Sequence, residues 1–416
     1  LENGRAEYYK VLVNDLEMYI YDKYVSYNKE EALLNYDADG TYKIHLGRLD
    51  TLGGGSGATL DYYPREKKEY ENNVMPDPVY SWFLNSYTIT SKNIDDYINL
   101  AKESKINTFV VDIKDNTSPG YKSEVMKIYS PTNYKNAYKS VEDYRNIIGK
   151  LKESGFYVVG RITVFKDSYF IKDHPEYAIM DTSSNKPFKH NGQYWPSAYQ
   201  RDVWEFNVEL AKEAVDLMEF NEIQLDYVRF PDRTREYERK GTMDFRNMYD
   251  ETKSEAIQRF LMYATDELHK KEVYVSADVF GESAHNYVTA YGQYWPAISN
   301  VVDVISAMPY PDHFNKYDYD FDVPVWTVPY DLLYYWGSEY VMKRQEETAT
   351  PAKVRTWIQA YDVKRSPSMQ YNAPEIEAQI RGLFEAGLDG GYMTWNVSSN
   401  IDRYTRQMPA YQIEYK

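Results

Sequence analysis

Cysteine is absent from all 416 residues, which excludes disulfides, thiol catalysis and Cys-ligated zinc. Long hydrophobic runs are missing too. None approaches the roughly 20 apolar residues that span a bilayer, so membrane insertion is not expected. The opening Leu1-Glu2-Asn3-Gly4-Arg5 does not read as a signal peptide, and the expected setting, extracellular or cell-surface, would need an export signal not contained in this sequence. Basic charge is the minority: 48 Lys and Arg stand against 64 Asp and Glu, a formal charge of -16 that disfavours nucleic acid and anionic membrane surfaces as partners. Histidine is scarce, and His174, His190, His285 and His313 show neither HExxH nor His-x-His spacing. Neither a metal nor a cofactor is expected. The glycine run Gly53-Gly54-Gly55-Ser56-Gly57 lacks the Lys-Ser/Thr of a phosphate loop and reads as a flexible connection. Asp37-Ala38-Asp39-Gly40 lacks the closing Glu of a calcium loop and reads as a turn.

What is plentiful is aromatic. The chain carries 45 Tyr and 8 Trp within a hydrophobic fraction of 43%, enough for a large core. Flat amphipathic rings also suit the faces of sugars. Trp195 and Trp295 each sit in Gln-Tyr-Trp-Pro, a candidate platform or an ordinary packed residue.

From about residue 76 onward, strand-like and helix-like segments alternate at the spacing of βα units. Strands are expected over residues 80–87, 108–115, 157–164, 222–226, 273–278, 301–308, 354–359 and 390–395. Between them run helical stripes: Ile94, Tyr97, Ile98 and Ala101 after a Ser91 cap, and Tyr144, Ile147, Ile148 and Leu151 between Ser140 and Gly155. Trp204 to Met218, Ile257 to Leu268 and Ile376 to Phe384 follow the same period. The expected organisation is an irregular or mixed extension over 1–75, a (β/α)8 TIM barrel over 76–405, and a tail over 406–416. Within the extension, Leu12, Leu16, Tyr19, Ile20 and Tyr24 or Lys23 fall at roughly helical spacing over residues 4–27, but short strand-like pieces follow and the stretch is too irregular to assign. A doubly wound open sheet is the competing α/β arrangement, but Ser86-Tyr87-Thr88-Ile89 provides no glycine-rich turn after the first strand.

Two strands favour the barrel through their polar faces. In Glu222-Ile223-Gln224-Leu225-Asp226, Ile223 and Leu225 share one face while Glu222, Gln224 and Asp226 share the other. Val273, Val275 and Ala277 likewise oppose Tyr274, Ser276 and Asp278. Barrel strands tolerate polar side chains inward, whereas a doubly covered open sheet reads as continuous apolar runs. Asp226 and Asp278 then meet at one mouth, where catalytic groups of such barrels lie. Two carboxyl groups suit glycosidic cleavage, one as proton donor and one as nucleophile or base. Glu282 competes with Asp278 as donor. The strand ends also carry Asp112, Lys114, Arg161, Asp167, Arg229, Tyr310, His313, Gln359, Trp395 and Asn396 as candidate substrate-binding residues.

Residues 222–231, Glu-Ile-Gln-Leu-Asp-Tyr-Val-Arg-Phe-Pro, resemble the putative glycosyl hydrolase domain family, bacterial barrels distantly similar to α-amylases. Arg161 to Asp167, Ser276 to Gly281, Met308-Pro309-Tyr310-Pro311 with His313, Trp357-Ile358-Gln359-Ala360 and Met393-Thr394-Trp395-Asn396 follow in the family's order. The resemblance covers about residues 76–405. It implies a (β/α)8 barrel acting on a glycan, with Asp226 in the place of the amylase-type nucleophile and Asp278 near that of the acid. Three departures stand out: Gln224 where the amylase pattern has Arg, Asp278 where it has Glu, and Gln359-Ala360 where a third aspartate would follow strand seven. The expectation is a glycoside hydrolase acting on a polysaccharide or oligosaccharide, with a noncatalytic glycan-binding barrel or a transglycosylase as alternatives.

Overall fold

This computed structural model describes residues 8–13, 16–21, 25, 28–30 and 53–415. Eight parallel strands close into a (β/α)8 barrel. They are β1 Val79–Leu84, β2 Thr108–Asp115, β3 Tyr157–Thr163, β4 Glu222–Asp226, β5 Tyr274–Phe280, β6 Val304–Met308, β7 Lys353–Val354 with Thr356–Gln359, and β8 Gly391–Trp395. Each pairs with its neighbours in sequence, and β8 returns to β1 through Gly391↔Val79. The helices follow in turn: α1 Ile94–Lys102, α2 Val141–Glu153, α3 Arg201–Met218, α4 Lys253–His269 and α5 Trp295–Ser299. After them come α6 from Pro329–Trp336 through Gly337–Val341 to Met342–Glu346, α7 Ala373–Glu385 and α8 Ile401–Tyr411.

Two apolar shells hold this arrangement. Ile223, Leu225, Val275, Ala277 and Val279 point outward into a core shared with the helices. Phe83, Val110, Tyr157, Val159, Tyr274, Trp357 and Met393 fill the interior. The alternation in β4 and β5 therefore separates helix-facing from axis-facing side chains. At the floor, Glu222 and Arg355 form a fully buried pair at 2.8 and 3.0 Å, with the Tyr157 hydroxyl donating to Glu222 at 3.2 Å.

Several local expectations are corrected. The first strand ends at Leu84, because the Asn85 side chain accepts from Thr88 N–H and starts a short helix, Ser86–Ser91. Asn93, and not Ser91, caps α1. In the extension, which the sequence leaves unassigned between helix and strand, Tyr8–Val13 and Leu16–Tyr21 pair antiparallel from Tyr8↔Tyr21 to Val13↔Leu16. Over so few residues the apolar positions fit either period, and the Val and Tyr content favours strand. Asp37 to Gly40 lie outside the described residues.

The Gly53 to Gly57 stretch is packed and not a flexible connection. Gly54 and Gly55 are buried, the Gly54 carbonyl accepts from Ser254 N–H at 2.9 Å, and a Cβ on Gly54 would sit 1.8 Å from the Thr289 carbonyl oxygen. The chain then runs beneath the barrel as a strap. Lys67 Nζ donates to the carbonyls of Ser299, Asn300 and Val302 at 3.0, 3.2 and 2.6 Å. Asn73 bonds Asn221 and Glu272 carbonyls, and Tyr70 and Met75 pack against the interior cluster.

Candidate active site

The site begins with strand register. Asp112 pairs with Arg161, Arg161 with Gln224, and Gln224 with Ser276, so inward positions on β2, β3, β4 and β5 lie side by side. Two residues on, Asp226 and Asp278 crown β4 and β5. Arg161 is the hub. Its Nη2 and Nε donate to Asp226 Oδ2 at 2.5 and 3.1 Å, its Nη1 to Asp112 Oδ1 at 2.5 Å, and its Nε stands 4.0 Å from Asp278 Oδ2. Arg161 stands on the neighbouring strand at the residue paired with Gln224.

One buried cation thus faces several carboxyl groups. Burial opposes the charge on Arg161, but Asp112 and Asp226 hold it firmly protonated. Burial pushes Asp112 up to about 7, partly offset by Arg161. Asp278 is driven well above the ordinary carboxylate range, first by burial and then by the Asp226 charge. Its Oδ1 accepts from Trp357 Nε1–H at 2.8 Å, and its Oδ2 is buried without a partner. Asp226 Oδ1 accepts from Tyr227 N–H at 2.5 Å, across a residue held at φ 53°. That left-handed conformation turns the chain sharply after β4.

The other expected site residues divide by exposure. Lys114 and Asp167 form a sealed pair at 2.8 Å, with Asn133 bonding Asp167, so both brace the loops after β2 and β3 and face no ligand. Arg229 is caged by Trp195, Tyr227, Phe280 and Tyr291 and bonds Asp232 at 3.3 Å, which makes it a loop anchor. Gln359 accepts from Asp312 N–H and donates to the Tyr361 carbonyl, fully buried. Asn396 donates to the Asn400 carbonyl and accepts from Ser398. Tyr310 is buried, stacked 6.4 Å from Trp395 and met edge-on by His313 at 5.0 Å. Glu282 accepts from Tyr287 and Tyr291 hydroxyls at 3.1 and 2.8 Å, in the turn that follows β5. Trp395, half-buried, and His313, exposed, remain open to a ligand at the mouth.

Trp195 and Trp295 are packed residues, 1% and 0% exposed, so neither offers a platform. The glutamines of the same repeats are the working members: Gln193 accepts from Asn116 and Ser168, and Gln293 accepts from Phe280 N–H and donates to the Val228 and Asp278 carbonyls. Nothing in the sequence gives Trp357 a role, because a strand position says nothing of where an indole N–H ends. Asp226 keeps 5% exposure and Asp278 1%, so neither carboxyl group is freely open to solvent. Among the described residues, no group of three His, Asp or Glu is arranged to hold a metal, and no helix is long and apolar enough to cross a membrane.

Residues 81–401 match the model of a family described as putative glycosyl hydrolase domain. No curated protein sequence matches the chain. Among solved structures, the PgaB (BpsB) glycoside hydrolase domain from Bordetella bronchiseptica is similar at 11% identity and a TM-score of 0.55, over 82% of this chain and 99% of that one. The chitobiase FjGH20 of Flavobacterium johnsoniae aligns at 12% identity and 0.52, over 81% and 48%. The C-terminal domain of a putative chitinase from Desulfitobacterium hafniense aligns at 9% and 0.50, over 81% and 99%. At these identities the likeness is one of fold.

Proposed function

The chain belongs to the putative glycosyl hydrolase domain family, and from that premise we propose that it is a glycoside hydrolase working on a polysaccharide or oligosaccharide through Asp226 and Asp278. The observation that carries the reading is the unequal treatment of two adjacent carboxyl groups. Arg161 gives two N–H bonds to Asp226 and none to Asp278, which stays in a buried position that favours its neutral form. A pair whose environments separate their protonation states is what acid and base roles require. Asp278 donates its proton to the leaving glycosidic oxygen as the C–O bond breaks, and Asp226 acts as nucleophile or as base for water. Half-buried Trp395 and exposed His313 offer the contact surface at the mouth. An extracellular or cell-surface setting is part of the same proposal, because a polymeric glycan is met there.

Because two of the structural neighbours are named as a chitobiase and a putative chitinase, chitin-derived oligosaccharides are the first substrates to assay, followed by a wider glycan panel. Asp226→Asn should fold normally and lose at least ~10²-fold in turnover; near-normal hydrolysis by that variant eliminates the assignment. The burial of Asp278 favours a second reading, a barrel that binds glycan without cutting it. Calorimetric binding with no product from fresh protein would select that reading.

A further inference from the structure

We propose that Trp357 is the positioning residue for Asp278: its indole N–H fixes Oδ1 and leaves Oδ2 as the proton-bearing atom turned toward Arg161 and Asp226. This inference rests on the reading of Asp278 as proton donor, though its test needs no turnover. Trp357 projects from β7 into the barrel and is 1% exposed. Its ring is held edge-on by Phe83 at 6.0 Å and Trp395 at 5.5 Å, so its N–H has one direction available. That direction ends on Asp278 Oδ1 at 2.8 Å. From behind, the Gln293 amide holds the Asp278 backbone carbonyl at 3.4 Å.

The two oxygens of Asp278 are thereby made unequal. Oδ1 has a donor, while Oδ2 is buried with no partner and lies 4.0 Å from Arg161 Nε. A bare anionic oxygen there would be costly, whereas an O–H is the neutral occupant that the position accepts. The charges facing it agree. Asp226 repels from β4, Arg161 attracts from β3 but is engaged by Asp226 and Asp112, and Glu222 below is matched by Arg355. The Tyr310 hydroxyl, after β6, is held neutral by burial. In the reaction the Oδ2 proton passes to the glycosidic oxygen and the electron pair of the O–H bond stays on Asp278. The indole bond to Oδ1 then becomes charge-assisted and stabilises the new carboxylate.

The eight indole N–H groups give eight resolvable nitrogen–proton resonances, and the one lost in Trp357→Phe belongs to Trp357. We expect it to stay fixed across the ordinary aspartate range near pH 4, to move downfield only at higher pH, and to keep its acid position in Asp278→Asn, whose amide imitates the protonated acid. A midpoint near 4, the ordinary aspartate value, overturns the proposal, as does movement that persists in Asp278→Asn. Should Trp357→Phe fail to fold, Trp357→Tyr or a selectively labelled wild-type sample assigns the same resonance. Absence of hydrolysis with the expected indole behaviour would remove the enzymatic reading and leave this geometry intact.

Discussion

Asp226 and Asp278 are the same residue type at equivalent ends of neighbouring strands, yet one is paired with a guanidinium and the other is bonded only by an indole. What separates them is the single cation, Arg161, and the way its nitrogens are shared. Asp112 is the third member of that arrangement, with Ser86 N–H at 3.3 Å on its second oxygen. Because burial pushes Asp112 up to about 7, the folded protein keeps this proton over a range in which the unfolded chain has released it. Stability therefore falls as pH rises from about 4 toward 7 and is level above that for this group. Asp112→Asn preserves an acceptor for Arg161 and cannot ionise. Its denaturant midpoint should decline less between those pH values than that of the wild type; an identical slope would remove Asp112 from the account. Asp112 and Arg161 were legible in the sequence as polar strand-end residues. That they bind each other was not, because the pairing depends on the register between β2 and β3.

At the scale of elements, closing the barrel requires backbone to approach backbone where β8 meets β1. Gly391 holds φ +104°, and a Cβ there would lie 1.9 Å from the Val79 carbonyl oxygen. Gly391→Ala should cost well beyond the ~1 kcal/mol of an average substitution, visible as lost soluble protein or a collapsed denaturation midpoint. Gly149, inside α2 with nothing within 4 Å of its added Cβ, provides the contrast. The strap below the barrel is a second element whose role is mechanical. Lys67→Met removes three hydrogen bonds to carbonyls at and just beyond the end of α5 and should lower stability by about 1 to 2 kcal/mol in urea unfolding. Helices α2, α3, α4 and α7 are legible from apolar period, α2 also from its Ser140 cap and Gly155 stop, since each buries one stripe on the strands. The hairpin and the strap were not: short segments carry too few periods to choose a structure, and their partners are remote in sequence.

For the molecule as a whole, the barrel is a packed interior with charge at both ends: Arg161 and its aspartates above, Glu222 and Arg355 below, aromatic and aliphatic side chains between. The lower pair is fully sealed, so removing one partner leaves an uncompensated charge. Glu222→Leu should destabilise by about 3–5 kcal/mol, while Glu222→Leu with Arg355→Met should recover much of that loss in a double-mutant cycle; additive losses would mean that the two residues act independently. The sequence alone determined the alternation of strands and helices, the sidedness of β4 and β5, and hence a barrel with Asp226 and Asp278 at one mouth. Those properties follow from local period and parity, which each segment carries by itself. Only the tertiary structure decided which carboxyl group Arg161 would hold, that Lys114 would be spent on Asp167, and that Trp357 would reach Asp278. These are contacts between side chains far apart along the chain, and they exist only once strand register and barrel curvature bring them together.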